Sequence, residues 1–242
     1  MKRLIPLLAV LSIALSCDRF HAATYQDDMV MPLQGGQDSL HFKVSIQYAS
    51  SGMLIPAMEK MNAAIVTRAF DLEGGENGSL EETASQYREN LIDEYITENE
   101  GLVGQMPVLT WEDYTIGEFG DKYRDWRNYS ISYYCYRGGA HGYSTLSLIV
   151  FDRKSGEVIT EDNLFADGWL APVSALMLER VMEELQEEVR VFVQKEGIVP
   201  NGNFSVSEDG VEWLFQPDDI LPHAFGPLTV TLSWKELKPY LR

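Results

Sequence analysis

The first predicted strand of this chain is marked by apolar residues at every second position. These residues are Leu40, Phe42, Val44, Ile46 and Tyr48. Polar residues stand between them, and His41 is one of these. Because a period of two is typical of a strand with one buried face, the pattern predicts a strand over 40–48. His41 is then expected on the face or edge that meets solvent.

Two helices are predicted next, because apolar residues recur every three or four positions after the strand. The first covers about residues 54–70. The second begins after a capping box, in which Ser79 is followed three positions later by Glu82, and continues to about Tyr95. A third helix is predicted as one continuous element over about 170–195, where glutamates flank the apolar stripe.

Further strands are predicted where short segments are rich in β-branched and aromatic residues. The predicted segments are 108–116, 128–136, 144–151, 158–159, 202–207, 211–215 and 228–232. Because the helices are grouped instead of alternating strictly with strands, we predict an α+β fold with antiparallel sheets and helices packed on one face. We divide the chain into an N-terminal α+β subdomain over 38–125 and a C-terminal α+β domain over 126–242.

The N-terminal segment has the layout of a secretory signal peptide over residues 1–16. A basic pair precedes a largely apolar run, and the small residue Ser16 stands directly before Cys17. This order is typical of a bacterial lipoprotein signal, in which cleavage frees Cys17 to carry a lipid. We therefore expect lipidation at Cys17, an unstructured tether over 17–37, and a location in the bacterial cell envelope, periplasmic or cell-surface.

Two other interpretations of the N-terminal segment are weaker. The apolar run is too short for a membrane-spanning helix, which needs about 20 residues. Cleavage near Ala22 would follow bulky residues at a position where ordinary signal peptidase prefers a small one.

Acidic residues outnumber basic ones, with 37 Asp and Glu against 19 Lys and Arg and a net charge of −18. Removal of residues 1–16 would take away Lys2 and Arg3 but no acidic residue. The remaining chain would have 37 acidic and 17 basic residues and a net charge of −20. We expect no nucleic-acid partner, because such binding depends on clustered basic residues that neutralise phosphates. An acidic surface favours encounter with a cationic protein, although solubility alone would also account for it.

Only two cysteines are present, and lipidation would leave Cys135 as the single free thiol. One thiol cannot form an intramolecular disulfide, so we expect stability from packing alone. Cys135 continues an alternating series that contains Tyr129, Ile131 and Tyr133. We therefore expect a buried structural thiol and not a nucleophile.

Three segments in the second half of the chain carry recognisable motifs. They are Gly-Gly-Ala-His-Gly at 138–142, a hairpin and turn at 151–165, and a loop with three prolines at 216–227. In this order they resemble the domain of unknown function 3298 family, whose domain also occurs in the ectodomain of a lysozyme-binding anti-sigma factor and in a peptidoglycan deacetylase. The region from about Leu40 resembles the small domain that often precedes it. The resemblance implies a cationic protein such as lysozyme as a partner.

The chain departs from that family at Asp218 and His223, where members often have tyrosine. Its sequence shows no counterpart of the deacetylase domain or of the segment with which the anti-sigma factor binds its sigma factor. We therefore carry neither of those activities over to this chain.

The candidate binding residues lie in two loops and on one helix. The loop candidates are His141, Asp218 and His223, and the helix candidates, expected to dock a basic protein, are Glu183, Glu184, Glu187 and Glu188. A turn histidine bonded to the local backbone and a solvated acidic face are the simpler interpretations of the same residues. The loop glycines Gly138, Gly139 and Gly142 are assigned a structural role, because a tight connection between two strands needs positive φ.

Signs of catalysis and of metal binding are weak. No His-Glu-x-x-His, Gly-x-Ser-x-Gly or phosphate-loop pattern occurs. The acidic loop at 71–77 lacks the ligand spacing of an EF-hand calcium loop, so we expect no metal and no cofactor.

We predict a lipid-anchored, non-enzymatic binding module of the cell envelope, whose ligand is a cationic cell-wall hydrolase such as lysozyme or a peptidoglycan fragment. The alternatives are an accessory peptidoglycan-active hydrolase or deacetylase that uses His141, and a passive structural lipoprotein.

Overall fold

The computed structural model describes residues 20–72 and 78–242. The strands in these residues are β1 (His21–Pro32), β2 (Ser39–Ser51), β3 (Trp111–Tyr123), β4 (Trp126–Tyr136), β5 (Tyr143–Asp152), β6 (Val158–Ile159), β7 (Phe204–Val206), β8 (Gly210–Phe215) and β9 (Leu228–Ser233). The α-helices are α1 (Ile55–Ala69), α2 (Leu80–Asn99), α3 (Glu161–Leu164), α4 (Leu170–Glu184), α5 (Glu187–Glu196) and α6 (Trp234–Leu237).

The strands form two sheets. β1 to β6 make a six-stranded sheet in sequential order, and β7 to β9 make a three-stranded sheet. Neighbouring strands are antiparallel except β2 and β3, which are parallel. Parallel neighbours need a long crossover connection, and α1 and α2 provide it. The predicted α+β class is confirmed, with one parallel pair in a mostly antiparallel arrangement.

The first hydrophobic core forms where α1 and α2 pack on one face of the six-stranded sheet. Leu40, Phe42 and Ile46 of β2 are fully buried there, as their alternation predicts. At the start of α2, Ser79 Oγ accepts a hydrogen bond from the Glu82 backbone N–H at 3.2 Å, and Glu82 Oε2 accepts one from the Ser79 N–H at 2.9 Å. The predicted capping box is therefore confirmed.

The three-stranded sheet and the helices α4 to α6 surround a second hydrophobic core, which packs against the other face of β4 and β5. Alternate side chains of β5 point to opposite faces of the sheet and show this arrangement. Ile149 and Phe151 belong to the first core, whereas Val150 belongs to the second. The Asn128 side chain of β4 links the layers by accepting a hydrogen bond from the Val206 N–H at 3.0 Å and donating one to its carbonyl at 2.7 Å.

The unstructured tether predicted before the first strand is wrong for residues 21–32, which form the edge strand β1. Tyr25 and Met29 of this strand turn partly inward. Between them, Asp27 occupies the remaining inward position and pairs with Arg88 of α2 at 2.5 Å. A charged residue in the middle of the inward face hides the alternation in the sequence.

The helix predicted as continuous over 170–195 is divided into α4 and α5. Leu185 and Gln186 have extended backbone, with ψ of 149° and 151°, and they end the helical hydrogen bonding. Val181, Leu185 and Val189 all pack in the second core. Because this apolar spacing continues across the break, periodicity alone predicts one helix.

The domain boundary predicted between residues 125 and 126 falls in the turn of the β3–β4 hairpin. Both strands belong to the six-stranded sheet, so the boundary does not separate the sheets. The second core instead takes most of its residues from Leu164 onwards.

The predicted signal peptide and Cys17 lie outside the described residues. Over 20–72 and 78–242, no helix combines the length and the apolar character needed to cross a membrane.

Candidate functional site

Two loops meet beside the second sheet and bring two predicted binding residues together. The loop 137–142 joins β4 to β5, and the loop 216–227 joins β8 to β9. The exposed rings of His141 and His223 face each other with 5.6 Å between centroids and 24° between planes. His141 Nδ1 lies 3.3 Å from the carbonyl of Gly142, which is the local backbone contact expected of a turn histidine.

Asp218 fixes the orientation of His223. Its Oδ1 accepts a hydrogen bond from the His223 backbone N–H at 2.7 Å, and its Oδ2 lies 3.1 Å from His223 Nδ1. Asp218 has a left-handed φ of 73°, and its own N–H donates to the Leu221 carbonyl at 2.9 Å. Because Asp218 engages Nδ1, this contact leaves Nε2 of His223 available to a ligand. We name the exposed group of His141, Asp218 and His223 the histidine cluster.

The loop glycines support the histidine cluster in two different ways. Gly138 and Gly139 have φ of 83° and 98°, a region that favours glycine, as predicted. The same prediction is wrong for Gly142, which does not have a positive φ. A glycine is needed there because a Cβ atom would lie 2.5 Å from Cε2 of the Tyr134 ring.

A groove of about 410 Å³ lies beside the same loops. It runs along the face of the six-stranded sheet that is opposite to α1 and α2. The stacked rings of Tyr114 and Tyr134 line it, with centroids 5.8 Å apart and planes at 26°. Pro217 and Pro227 line it from the loop that also carries the histidine cluster. We name this cavity the tyrosine groove. A concave, largely apolar surface with a few polar groups is typical of a ligand site.

Gln216 fastens this loop to the sheet. Its Oε1 accepts a hydrogen bond from the Leu146 N–H at 3.2 Å, and its Nε2 donates to the Leu146 carbonyl at 2.7 Å. The side-chain amide thus pairs with β5 much as another strand would. As a result, the tyrosine groove and the histidine cluster share one anchored loop.

Burial and a nearby carboxylate raise the pKa of the two tyrosine hydroxyls in the groove. Burial raises the pKa of the Tyr114 hydroxyl, and the charge of Glu112 raises it further. The same two causes, in the same order, raise the pKa of Tyr134. A side-chain hydrogen bond to Glu112 contributes to the raised pKa of each hydroxyl.

The predicted acidic docking residues are exposed and lie on both sides of the break between α4 and α5. We name these residues, Glu183, Glu184, Glu187 and Glu188, the acidic bend. Glu184 lies 3.7 Å from Arg180 Nε. Phe192 of α5 contacts Phe225 with 5.7 Å between ring centroids, so α5 packs beside the loop of the histidine cluster. Among the described residues, no hydrogen bond or ion pair joins the acidic bend directly to that cluster.

A buried charged group that the sequence analysis did not identify lies at the base of the histidine loop. Asp113 of β3 is fully buried and accepts hydrogen bonds from Arg137 at 2.6 Å, Tyr133 at 3.0 Å and Tyr87 at 3.2 Å. Burial and the charge of Asp113 raise the pKa of Tyr87 to about 12, and they also raise the pKa of Tyr133. Because Arg137 directly precedes Gly138, this group holds the start of the loop.

One signal in the sequence could have revealed this group. Asp113 stands between Trp111 and Thr115 in a strand whose alternate positions are buried, and a carboxylate there needs partners. Cys135 is its cross-strand neighbour and therefore shares the inward face, as predicted. The thiol is half-buried and not fully buried.

Metal binding and nucleophilic catalysis each need a particular arrangement of side chains. No group of three or more His, Cys, Asp and Glu side chains in 20–72 and 78–242 is arranged to hold a metal ion. In the acidic loop, Asp71 is exposed, and residues 73–77 lie outside the described ranges. Within those ranges, neither imidazole of the histidine cluster bonds to a serine, threonine or cysteine side chain. The base–nucleophile contact of a catalytic triad is thus not formed there.

Comparison with known proteins finds a family model that matches part of the second half of the chain. A model described as "Protein of unknown function (DUF3298)" matches residues 162–235, which include Asp218, His223 and the acidic bend. No curated protein matches the sequence.

Two crystal structures of members of the same family resemble the whole fold. A protein from Bacteroides fragilis has 18% sequence identity and a TM-score of 0.80, with 92% of this chain and 94% of that chain covered. A protein from Pseudomonas aeruginosa PAO1 has 12% identity and a TM-score of 0.67, with 93% and 95% covered. At these identities the likeness shows a shared fold.

Proposed function

We propose that this chain is a lipid-anchored, non-enzymatic binding module of the bacterial cell envelope whose ligand is a cationic protein. A cell-wall hydrolase such as lysozyme is the expected kind of ligand. The observation that carries the proposal is the contact between Phe192 and Phe225, which sets the helix of the acidic bend against the loop of the histidine cluster. The exposed acidic bend therefore adjoins a loop that carries the exposed carboxylates of Asp218 and Asp219.

Charge complementarity supports a cationic partner. The chain has a net charge of −18, and within its described residues Glu183, Glu187 and Glu188 form no ion pair. Their carboxylates are free to meet lysines and arginines of a partner, which increases the association rate and the selectivity. The resemblance to a lysozyme-binding ectodomain points to the same class of ligand.

The proposed anchor would hold the module close to the membrane. β1 begins at His21, and Phe20 already packs against Phe119 with 4.8 Å between ring centroids. The Arg127 guanidinium lies 4.7 Å from the Phe20 ring centroid. In the sequence, only Asp18 and Arg19 stand between the proposed lipid on Cys17 and Phe20.

A wall fragment is a second candidate ligand, and the tyrosine groove favours it. The rings of Tyr114 and Tyr134 offer flat apolar surface on which a sugar ring can stack. The groove lies beside the loop of the histidine cluster, so a glycan bound there would cover part of the same surface.

The enzymatic alternative has less support. Asp218 orients His223 in the way that a carboxylate orients a general base, but the pair contacts no nucleophile within the described chain. Ser39 Oγ does lie 2.8 Å from His41 Nε2 on β2, yet no carboxylate of the described residues bonds that imidazole. A non-enzymatic role is therefore proposed.

The proposal is tested by surface plasmon resonance with immobilised full-length protein and lysozyme in solution at low salt. We expect saturable binding. Peptidoglycan hydrolysis and deacetylation are measured in parallel on the same preparation, and neither activity is expected. Absence of lysozyme binding would contradict the proposed ligand, and hydrolysis lost in His141→Ala would favour the enzyme.

A further inference from the structure

A second cavity lies on the face of the six-stranded sheet that α1 and α2 cover, which is opposite to the tyrosine groove. Its volume is about 440 Å³, within the range of roughly 300–1,000 Å³ that is usual for small-molecule sites. Tyr25 of β1 and Tyr48 of β2 line one side of it, and α1 and the first turn of α2 line the rest. We name it the edge pocket.

The sequence builds an apolar floor beneath two aromatic rings in the edge pocket. Tyr25 pairs in register with Ile46, so Tyr25 and Tyr48 are diagonal neighbours on one face of the sheet. Ile65 and Val66 of α1 are buried and line the floor. Aromatic and aliphatic side chains therefore line the pocket together, so that it can enclose a hydrocarbon body.

Asn62 also lines the pocket, but its polar atoms are already used. Its Oδ1 accepts a hydrogen bond from the Ala49 N–H at 2.8 Å, and its Nδ2 donates to the Ala49 carbonyl at 2.9 Å. These bonds fix α1 to β2 and shape the cavity without offering a ligand a free amide. Polar recognition must therefore come from the carboxylates at the rim.

The rim of the edge pocket is negative. Glu59 of α1 and Glu81 of α2 are exposed, and neither forms an ion pair in the described part of the chain. The neighbouring cations are committed elsewhere: Arg88 pairs with Asp27 at 2.5 Å, and Lys60 pairs with Glu157 at 2.9 Å. In the described ranges, the two rim carboxylates thus line the pocket without an ion pair to lysine or arginine.

We infer that the edge pocket binds a small organic cation, an ammonium group carried on an apolar body. Tyrosine ring faces attract a cation through their quadrupole, the apolar floor takes the hydrocarbon, and Glu59 and Glu81 supply the opposite charge. A neutral ligand of the same shape would lose the charge interactions, and an inorganic cation would leave the floor unfilled. This site is independent of the proposed partner surface.

The test uses isothermal titration calorimetry of the full-length protein with benzylammonium chloride, and with benzyl alcohol as the neutral isostere. We expect saturable binding of benzylammonium that weakens as salt is raised, and much weaker binding of benzyl alcohol. Glu59→Gln and Glu81→Gln should each weaken benzylammonium binding about two- to fivefold. Glu183→Gln, in the distant acidic bend, is the matched control and should leave it unchanged.

A second variant separates a pocket from general attraction to an acidic surface. Ala63→Phe places a ring in the cavity while every carboxylate is retained, so binding should be lost although the circular dichroism spectrum stays native. The inference is overturned if benzylammonium does not bind, if benzyl alcohol binds as tightly, or if Glu183→Gln weakens binding as much as Glu81→Gln does.

Discussion

Arg137 Nη2 donates a hydrogen bond of 2.6 Å to Oδ2 of Asp113, which joins the start of the histidine loop to a fully buried carboxylate. The guanidinium also lies 4.9 Å from the Trp111 ring centroid and donates to the Glu112 carbonyl at 2.9 Å. Burial opposes the charge on Arg137, but the bond to Asp113 and its charge outweigh this effect and raise the arginine pKa. A buried ion pair thus anchors an exposed binding loop.

This pair predicts an asymmetric mutational effect. Arg137→Met leaves the fully buried Asp113 carboxylate without its counter-ion, which should cost about 3–5 kcal/mol of unfolding free energy. Asp113→Asn leaves a neutral amide beside an arginine that is 31% exposed, and should cost about 1–3 kcal/mol. Urea unfolding measures both values. Equal losses would contradict the claim that the buried charge dominates, and the double variant should lose less than Arg137→Met alone.

Alkaline pH should destabilise the protein partly through Tyr87. Its pKa is raised from 10.0 to about 12 by burial and by Asp113, so the unfolded chain loses this proton first as pH rises. Stability therefore falls between about pH 10 and pH 12, by up to about 2–3 kcal/mol from this residue. Tyr87→Phe cannot ionise and should show a shallower fall. Tyr143→Phe, whose ring is exposed, should follow the wild type in the same urea titrations.

Gly142 and Gly139 should respond differently to alanine. Gly142→Ala pushes a Cβ into the Tyr134 ring and should cost roughly 1–3 kcal/mol. Gly139→Ala meets open space but keeps a φ of 98°, and should cost about 1 kcal/mol. Tyr134→Ser removes the ring, so it should relieve the Gly142→Ala loss and not the Gly139→Ala loss. Thermal unfolding of the three single variants and the two double variants measures this coupling, and absence of relief would mean that the ring is not the obstacle.

Regular alternation and helical spacing predicted most of the fold, because burial of one face imposes a period. The predictions failed where a charge or a break interrupts that relation. Asp27 interrupts the apolar alternation on the inward face of β1, so the strand was not predicted. The apolar spacing continues through Leu185, so the end of α4 was not predicted either. Asp113 escaped notice for the same reason as Asp27, since its partners come from α2 and β4. Sequence pattern does not reveal such partners.

The residues of the histidine cluster were predicted, but their association was not. Motifs in the two loops drew attention to His141 and His223 separately. Their contact depends on the packing of the second sheet against β5 and on the bond between Gln216 and Leu146. No periodicity encodes a distance between loops that are more than 70 residues apart in the sequence.

Lipidation at Cys17 predicts covalent labelling. Cells that express the protein and are fed a fatty-acid probe should label the wild type and not Cys17→Ala, because only the first offers a thiol after Ser16. Cys135→Ala, which changes the other cysteine, is the matched control and should remain labelled. Equal labelling of wild type and Cys17→Ala would remove the anchor from the proposed function.

Binding of a cationic protein should depend on salt mainly through its association rate. The Debye length falls from about 10 Å at 0.1 M salt to about 3 Å at 1 M, so steering by the acidic bend weakens as salt rises. Dissociation should change less, because it depends on contacts that are already buried.

A variant with Glu183, Glu184, Glu187 and Glu188 changed to glutamine should associate more slowly at low salt and show a reduced salt dependence. Glu59→Gln with Glu81→Gln removes two carboxylates at the edge pocket and serves as the control. If lysozyme binds the four-glutamine variant with unchanged rates, the contact surface lies elsewhere, and His141→Ala with His223→Ala then tests the histidine cluster by the same measurement.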